Sequence, residues 1–454
     1  MSTTEKQSKD QIKVKFFTRD EDESLHVSSN PIYIPVTLKR FGLSEIVNHL
    51  LETETAVPFE FLIDGTIIKT DIQDYLVKNG LSTEAFLTLE YTRAVLPPKF
   101  LSSFNNDDWL SSIDSIGSME LPGANNGEAV VTAPKILTGS YDGIVRIYNA
   151  SGKVETQLTG HSQPVKAVKF ISPNKFITAG MDRSIRLWRS GIISDEDVEK
   201  DAQQGSTYAL LDYHKSTVSS LALNIPTNRI LSGSYDNSIA FWSTNPKEMN
   251  TSAPIDISEK LSSSSRKRLK LAINDSTIRR KAPLAILESH SAPVEDVLFS
   301  NNDPTIAYSV SQDHTIKTWD LMTARCVDTK QTNYSLLSLV SLNNMNILAT
   351  GSSARHINLH DPRSSKVTSS QLIGHTNFVV SLATTDNEYM LISGSHDGTA
   401  KVWDIRANKA MYTITRESGE PKSKVFSVNW NKEIGIMSTG SDKKLQINSS
   451  AEFK

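Results

Sequence analysis

The chain has 454 residues, 38% hydrophobic and 22% charged, with a formal net charge of −3. That length holds two or three ordinary domains, or one small domain and a long repeat array. The near-neutral balance carries no global nucleic-acid signature, so any basic contact must be local. The single Cys326 excludes an intramolecular disulfide framework and a thiolate metal cluster, and fits a reducing compartment.

Residues 1–10 are polar and charged, read as a disordered tail without the apolar stretch of a signal peptide. No run of 18 apolar residues offers a membrane span, so the expectation is a soluble intracellular chain with no membrane partner. Residues 11–94 form a first domain. Ile12–Phe17 and Ile32–Leu38 read as strands, and Ser44 as the cap of a helix over Glu45–Leu51. Phe59–Ile63, Asp64-Gly65 and Thr66–Ile68 spell a hairpin. Asp71–Lys78 reads as a short helix stopped by Gly80, and Phe86–Tyr91 as a last strand. This order resembles the β-grasp of ubiquitin, and a small α+β domain of another topology stays open at this point.

From residue 138 one unit recurs at fixed offsets: Ser or Thr, three residues, usually Asp, five residues, usually an aromatic residue. It reads Thr138–Asp142–Tyr148, Thr178–Asp182–Trp188, Ser232–Asp236–Trp242 and Ser309–Asp313–Trp319, then Thr350–Ala354–His360, Ser393–Asp397–Trp403 and Ser438–Asp442–Asn448. Seven such units are what a seven-bladed β-propeller needs. Leu391–Ser395 and Thr399–Trp403 alternate as two short antiparallel strands around the turn His396-Asp397-Gly398. Ser393, Ser395, His396 and Asp397 together invite a catalytic reading. Chain neighbours on alternating strand faces do not converge in space, and a set repeated in several units is what packing demands. They read as scaffold. The last strand, Lys444–Asn448, leaves the final unit short of an outer strand, which the segment around Leu96–Ser103 is expected to supply. Trp109–Ile113 then begins the first unit, so residues 95–454 close into a ring with no open edge.

Gly160-His161, Gly374-His375 and Trp403-Asp404 resemble the signature dipeptides of the WD-repeat family. The resemblance implies a hydrogen-bonded chain of His, Ser or Thr, turn Asp and Trp inside each blade. Four units match throughout: His161/Thr178/Asp182/Trp188, His214/Ser232/Asp236/Trp242, His290/Ser309/Asp313/Trp319 and His375/Ser393/Asp397/Trp403. The first, fifth and seventh depart from it. With Ala354 for Asp and His360 for Trp, the fifth is expected to lack its network.

Two inserts interrupt the array, read as flexible: residues 191–207, with the acidic run Ser194–Asp201, and residues 244–284. The second carries Arg266, Lys267 and Arg268, followed by Arg279, Arg280 and Lys281. Two basic clusters in a loop fit a bipartite nuclear import signal; contact with RNA phosphates and an inert charged loop are the alternatives. No Gly-Lys-Ser/Thr phosphate loop supports an NTPase, and no F-box-like segment supports a ubiquitin-ligase receptor.

A ubiquitin-like domain ahead of a propeller resembles the Notchless and Ytm-type ribosome-assembly factors. Glu90–Pro98, Gly139–Arg146, Ser311–Asp320 and Gly351–His356 favour the Ytm type, over nearly the whole chain. The resemblance implies a non-enzymatic factor without cofactor, acting in the nucleolus and nucleoplasm on large (60S) subunit maturation and pre-rRNA processing. It implies a complex with pescadillo-type and block-of-proliferation-type proteins, the latter docking the propeller, on a pre-60S particle with possible rRNA contact. It also implies removal by the midasin AAA ATPase, gripping the ubiquitin-like domain. From the residues alone, Glu84 in Leu81-Ser82-Thr83-Glu84 reads as a solvated loop carboxylate. The resemblance instead makes it a ligand, in trans, to the metal of midasin's adhesion site; the chain has no metal of its own.

Overall fold

The computed structural model describes residues 11–449 apart from 20–21, 29, 53–55, 69, 83, 85, 95–96, 123–128, 191–205, 253–277, 343–344, 365, 386–388, 407–408 and 417–422. The chain divides into two compact units between Pro97 and Pro98.

In the first unit, β1 (Gln11–Phe17), β2 (Ile32–Pro35), β3 (Phe59–Ile63), β4 (Thr66–Ile67) and β5 (Phe86–Arg93) form one sheet in the order β2-β1-β5-β3-β4. β1 and β5 run parallel and the other pairs antiparallel. Alternation on β1 buries Ile12, Val14 and Phe16 against Leu43 and Val47 of helix α1 (Arg40–Leu51). The helix starts at Arg40, earlier than its sequence signal, because Ser44 is not the cap. Ser44 lies inside the helix, where its Oγ accepts from Phe59 N at 3.1 Å and donates to the Val57 carbonyl at 3.2 Å. Helix α2 (Ile72–Asn79) ends at Gly80 with φ 64°, and Leu81 N donates to the Leu76 carbonyl at 2.9 Å. Glycine takes that left-handed conformation without steric cost.

Among its described residues the second unit contains seven sheets of four or five strands, antiparallel but for one added parallel strand, and one two-stranded sheet. The closing strand, β6 (Phe100–Asn105), pairs with Lys444–Asn448 and completes the last sheet with residues from the start of the array. β7 (Leu110–Ile116) is the innermost strand of the first sheet, and β8 (Met119–Pro122) with β9 (Ala129–Thr132) makes a separate hairpin. The seven innermost strands neighbour one another in turn, and the last, Val425–Asn431, neighbours β7. Apolar faces of adjacent sheets pack together, with Trp188, Trp242, Trp319 and Trp403 fully buried among them. At the turn after the second strand of each sheet, one residue has positive φ: Gly143, Arg183, Asn237, His314, Arg355, Gly398 and Lys443.

Candidate partner-binding sites

The four complete sets come together in the structure. In the second sheet His161 Nδ1 lies 2.9 Å from Asp182 Oδ2 and Nε2 lies 2.7 Å from Thr178 Oγ1, which also accepts from Trp188 Nε1 at 2.7 Å. The corresponding distances are 3.0, 2.8 and 2.9 Å for His214, Ser232, Asp236 and Trp242. They are 2.8, 2.7 and 2.8 Å for His290, Ser309, Asp313 and Trp319, and 2.8, 2.6 and 2.7 Å for His375, Ser393, Asp397 and Trp403. One proton order satisfies all of them: Trp N–H to hydroxyl, hydroxyl to His Nε2, and His Nδ1–H to carboxylate. Each Ser or Thr of the four sets is fully buried and also accepts from a Trp N–H, so these hydroxyls are out of reach of a substrate. Burial alone would raise the carboxyls of Asp182, Asp236 and Asp397. The imidazole, hydroxyl and backbone N–H donors around them overcome it and hold all three below the usual carboxylate range.

The three departing sheets use other chemistry. In the fifth, no His–Asp pair stands at the turn among the described residues, and His360 takes the Trp place, with Nε2 2.9 Å from Thr350 Oγ1 and Nδ1 on the Val367 carbonyl. In the first, Arg146 pairs with Asp142 at 2.8 Å, and Tyr148 Oη donates to Asn106 Oδ1. In the seventh, Arg416 replaces the His, donating to Asp442 at 2.7 Å and to Ser438 Oγ at 2.9 Å.

Glu84 is exposed in the turn between α2 and β5, with Val77, Leu81 and Phe86 exposed before and after it. Among the described residues no cluster of three or more His, Cys, Asp or Glu is arranged to hold a metal ion. A cation meeting Glu84 would therefore bring its remaining ligands with it.

Of the basic residues, Arg266, Lys267 and Arg268 lie outside the described residues, as does most of the acidic insert. The second cluster is not a free loop, which corrects the expected insert boundaries. Arg280–Lys281 adds a short parallel strand to Ser206–Leu211 of the second sheet. Arg280 pairs with Asp212 at 3.0 Å, and Lys281, 9% exposed, donates from Nζ to the Met249 carbonyl at 3.0 Å. That carbonyl and Thr251 Oγ1, at 3.4 Å, hold the ammonium in the fold. Arg279 alone of the three is exposed.

A feature the sequence did not disclose surrounds the central channel, a cavity of about 840 Å³. In all seven sheets the pairing of the innermost strand slips by one residue near its start. The skipped residues, Ser111, Lys166, Ser219, Glu295, Leu337, Val380 and Phe426, all line the channel. A β-bulge re-aims a side chain in this way. Deeper in, Asp114 accepts from Phe170 N at 2.8 Å and Lys169 Nζ at 3.0 Å, and Asp296 accepts from Leu339 N at 2.8 Å. Each carboxylate ties its sheet to the next.

A ring of antiparallel sheets with these internal chains is a WD-repeat β-propeller. The WD domain, G-beta repeat model matches residues 152–189, 205–243, 281–320 and 366–404, and the NLE (NUC135) domain model matches residues 12–76. The chain is 59% identical to ribosome biogenesis protein YTM1 of Candida albicans, over 98% of both chains. It is 59% identical to that of Scheffersomyces stipitis, over 98% of this chain and 99% of the relative, and 55% identical to that of Kluyveromyces lactis, over 97% of both. The chain belongs to the YTM1 family of ribosome biogenesis proteins.

Proposed function

We propose that this chain is a non-catalytic assembly factor for the large ribosomal subunit, built as a seven-bladed propeller behind a ubiquitin-like β-grasp domain. The observation that carries this reading is the likeness to YTM1 proteins along nearly the full length of both chains. The sheet order β2-β1-β5-β3-β4 with a parallel β1–β5 pair supports the ubiquitin-like assignment. The saturated His–Asp chains support a scaffold role. In this reading the propeller docks a block-of-proliferation-type propeller protein, and a pescadillo-type protein completes the complex on the pre-60S particle. Midasin then grips the ubiquitin-like domain through Glu84 and pulls the complex away once pre-rRNA processing allows. The protein works in the nucleolus and nucleoplasm and needs no cofactor. Affinity purification of the tagged chain followed by mass spectrometry tests the reading. The pescadillo-type and block-of-proliferation-type proteins should co-purify with large-subunit precursors; their absence, with small-subunit precursors in their place, overturns it.

A further inference from the structure

The outer face of the first unit's sheet carries a row of side chains that the core does not use. β1 aligns Lys13 with Tyr33 of β2 on one side and with Phe86 of β5 on the other. Residues in register point to the same face of a sheet, and the next residue along each strand points to the opposite one. Ile12, Val14, Ile34 and Leu87 go to the core, so Lys13, Tyr33 and Phe86 stand on the outside. Tyr33 is 66% and Phe86 52% exposed. Lys15 and Thr88, the next outward pair along β1 and β5, continue the face. Adjacent strands lie ~4.8 Å apart, which sets the two aromatic positions about 10 Å apart with Lys13 between them. Neither lysine has an ion-pair partner among the described residues. The face also holds Glu60 and Glu90, but both are buried and already paired, with Arg40 at 3.2 Å and Arg19 at 3.4 Å.

Large rings left exposed together on a sheet mark a contact surface. The centre of a protein interface is depleted of Lys, yet here an unpaired Lys separates the rings. Single-stranded nucleic acid matches that order, because its bases stack on aromatic faces while the phosphate that joins them meets a cation. We propose that this face binds single-stranded RNA, with bases on Tyr33 and Phe86, the phosphate between them on Lys13 and a neighbouring phosphate on Lys15. RNA is the nucleic acid that a ribosome biogenesis family meets. The occupant is an open strand, since the bases of an A-form duplex are stacked inside it and cannot lie on a flat face. Two rings and two cations make a weak, salt-sensitive site. Binding here needs neither the docking of the propeller nor the metal contact proposed for Glu84.

The test is fluorescence anisotropy of a labelled single-stranded RNA of about eight nucleotides, titrated with the full chain at low salt. The background protein carries Arg266→Ala, Lys267→Ala and Arg268→Ala, so that these cations of the insert add nothing. Tyr33→Ala and Phe86→Ala should each weaken binding by about 10-fold, as loss of a stacked base does. Tyr33→Phe keeps the ring and should bind as the background does. Lys13→Gln should lower the slope of log affinity against log salt by about 0.7, the share of one phosphate on a single strand. Phe41→Ala, 75% exposed on α1, which packs against the core face of the sheet, should change nothing. Melting temperatures show that each variant is folded. No binding by the background protein, or binding that Tyr33→Ala and Phe86→Ala both leave unaltered, overturns the site. Tyr33→Phe binding as weakly as Tyr33→Ala overturns stacking as its mode. Absent RNA binding, together with loss of midasin adhesion-domain binding in the two Ala variants, gives the face to a protein instead.

Discussion

Arg416 and Asp442 form an ion pair at 2.7 Å with both side chains 2% exposed, in the place where four other sheets pair His with Asp. Arg416 also reaches Ser438 Oγ at 2.9 Å and the Lys444 carbonyl at 2.6 Å, so one guanidinium spans three elements of the last sheet. That sheet closes the ring through β6. Removing one partner of a buried pair leaves the other charge uncompensated, so Arg416→Ala should cost about 3–5 kcal/mol. Denaturant unfolding measures it, and a loss under 1 kcal/mol would place the pair among weak surface bridges.

Asp397→Ala should cost about 1–3 kcal/mol, because His375 Nδ1 and Thr376 N both lose their acceptor. The pH dependence has a definite sign. The folded carboxyl of Asp397 lies below its unfolded value, so its stabilisation is full above roughly pH 4 and is lost as pH falls below it. The gap between wild type and Asp397→Ala should therefore shrink in acid. A gap that stays constant down to pH ~2 would contradict the linkage.

Asp296 behaves in the opposite sense. Burial pushes its carboxyl up to about 7, against the backbone N–H groups of Leu339 and Val297 and the charge of Lys169. A raised folded pKa means that the folded state holds the proton more tightly than the unfolded chain. The cost of ionisation grows from roughly pH 4 and is complete once pH passes the folded value. Asp296→Asn keeps an amide oxygen for Leu339 N and removes that cost. Its melting temperature should exceed wild type at pH 8 and converge with it near pH 4; a lower value at pH 8 would show that the charge is needed.

What the sequence disclosed follows from how tightly each residue is constrained. The His–Asp–Trp chains were legible because turn, strand period and side-chain length fix their spacing. Arg416 was not, since it does a histidine's work with a different group, 26 positions before Asp442. Ser44 carried a capping signal, but a hydroxyl inside a helix can serve a neighbouring strand instead, here Phe59 and Val57. Lys281 read as part of a basic import signal in a loop, and only the path of the chain brings the Met249 carbonyl to its ammonium. The bulges were harder to read, because the extra residue spaces the buried pairs Val165/Val168, Val294/Val297 and Val425/Val428 three apart, against the period of two that marks a strand.

If the insert carries an import signal, the placement of Lys281 in the fold assigns it to Arg266, Lys267 and Arg268 rather than to both clusters. Changing Arg266, Lys267 and Arg268 to Ala should shift a fluorescent fusion toward the cytoplasm without changing the melting temperature. Lys281→Ala should instead lower stability by about 1–3 kcal/mol, as it strands the Met249 carbonyl. Equal cytoplasmic shifts from both, with equal stability, would restore a bipartite signal.

Glu84 carries the sharpest expectation. It is exposed between the end of α2 at Gly80 and the start of β5 at Phe86, away from the core of the first unit. A Mg²⁺ held by hydroxyls and carboxylates of a partner prefers six oxygens in octahedral geometry and exchanges a water for an incoming carboxylate. In the proposed grip by midasin, Glu84 is that ligand, so binding needs both the metal and the reach of the side chain. Glu84→Asp shortens the reach by one methylene, and Glu84→Ala removes the ligand. Both should abolish Mg²⁺-dependent binding of the midasin adhesion domain and trap the complex on pre-60S particles. Neither should change the melting temperature or the docking of the propeller's partner. Binding of the Glu84→Ala protein that stays tight and EDTA-sensitive would return Glu84 to the solvent and move the metal contact elsewhere on the domain.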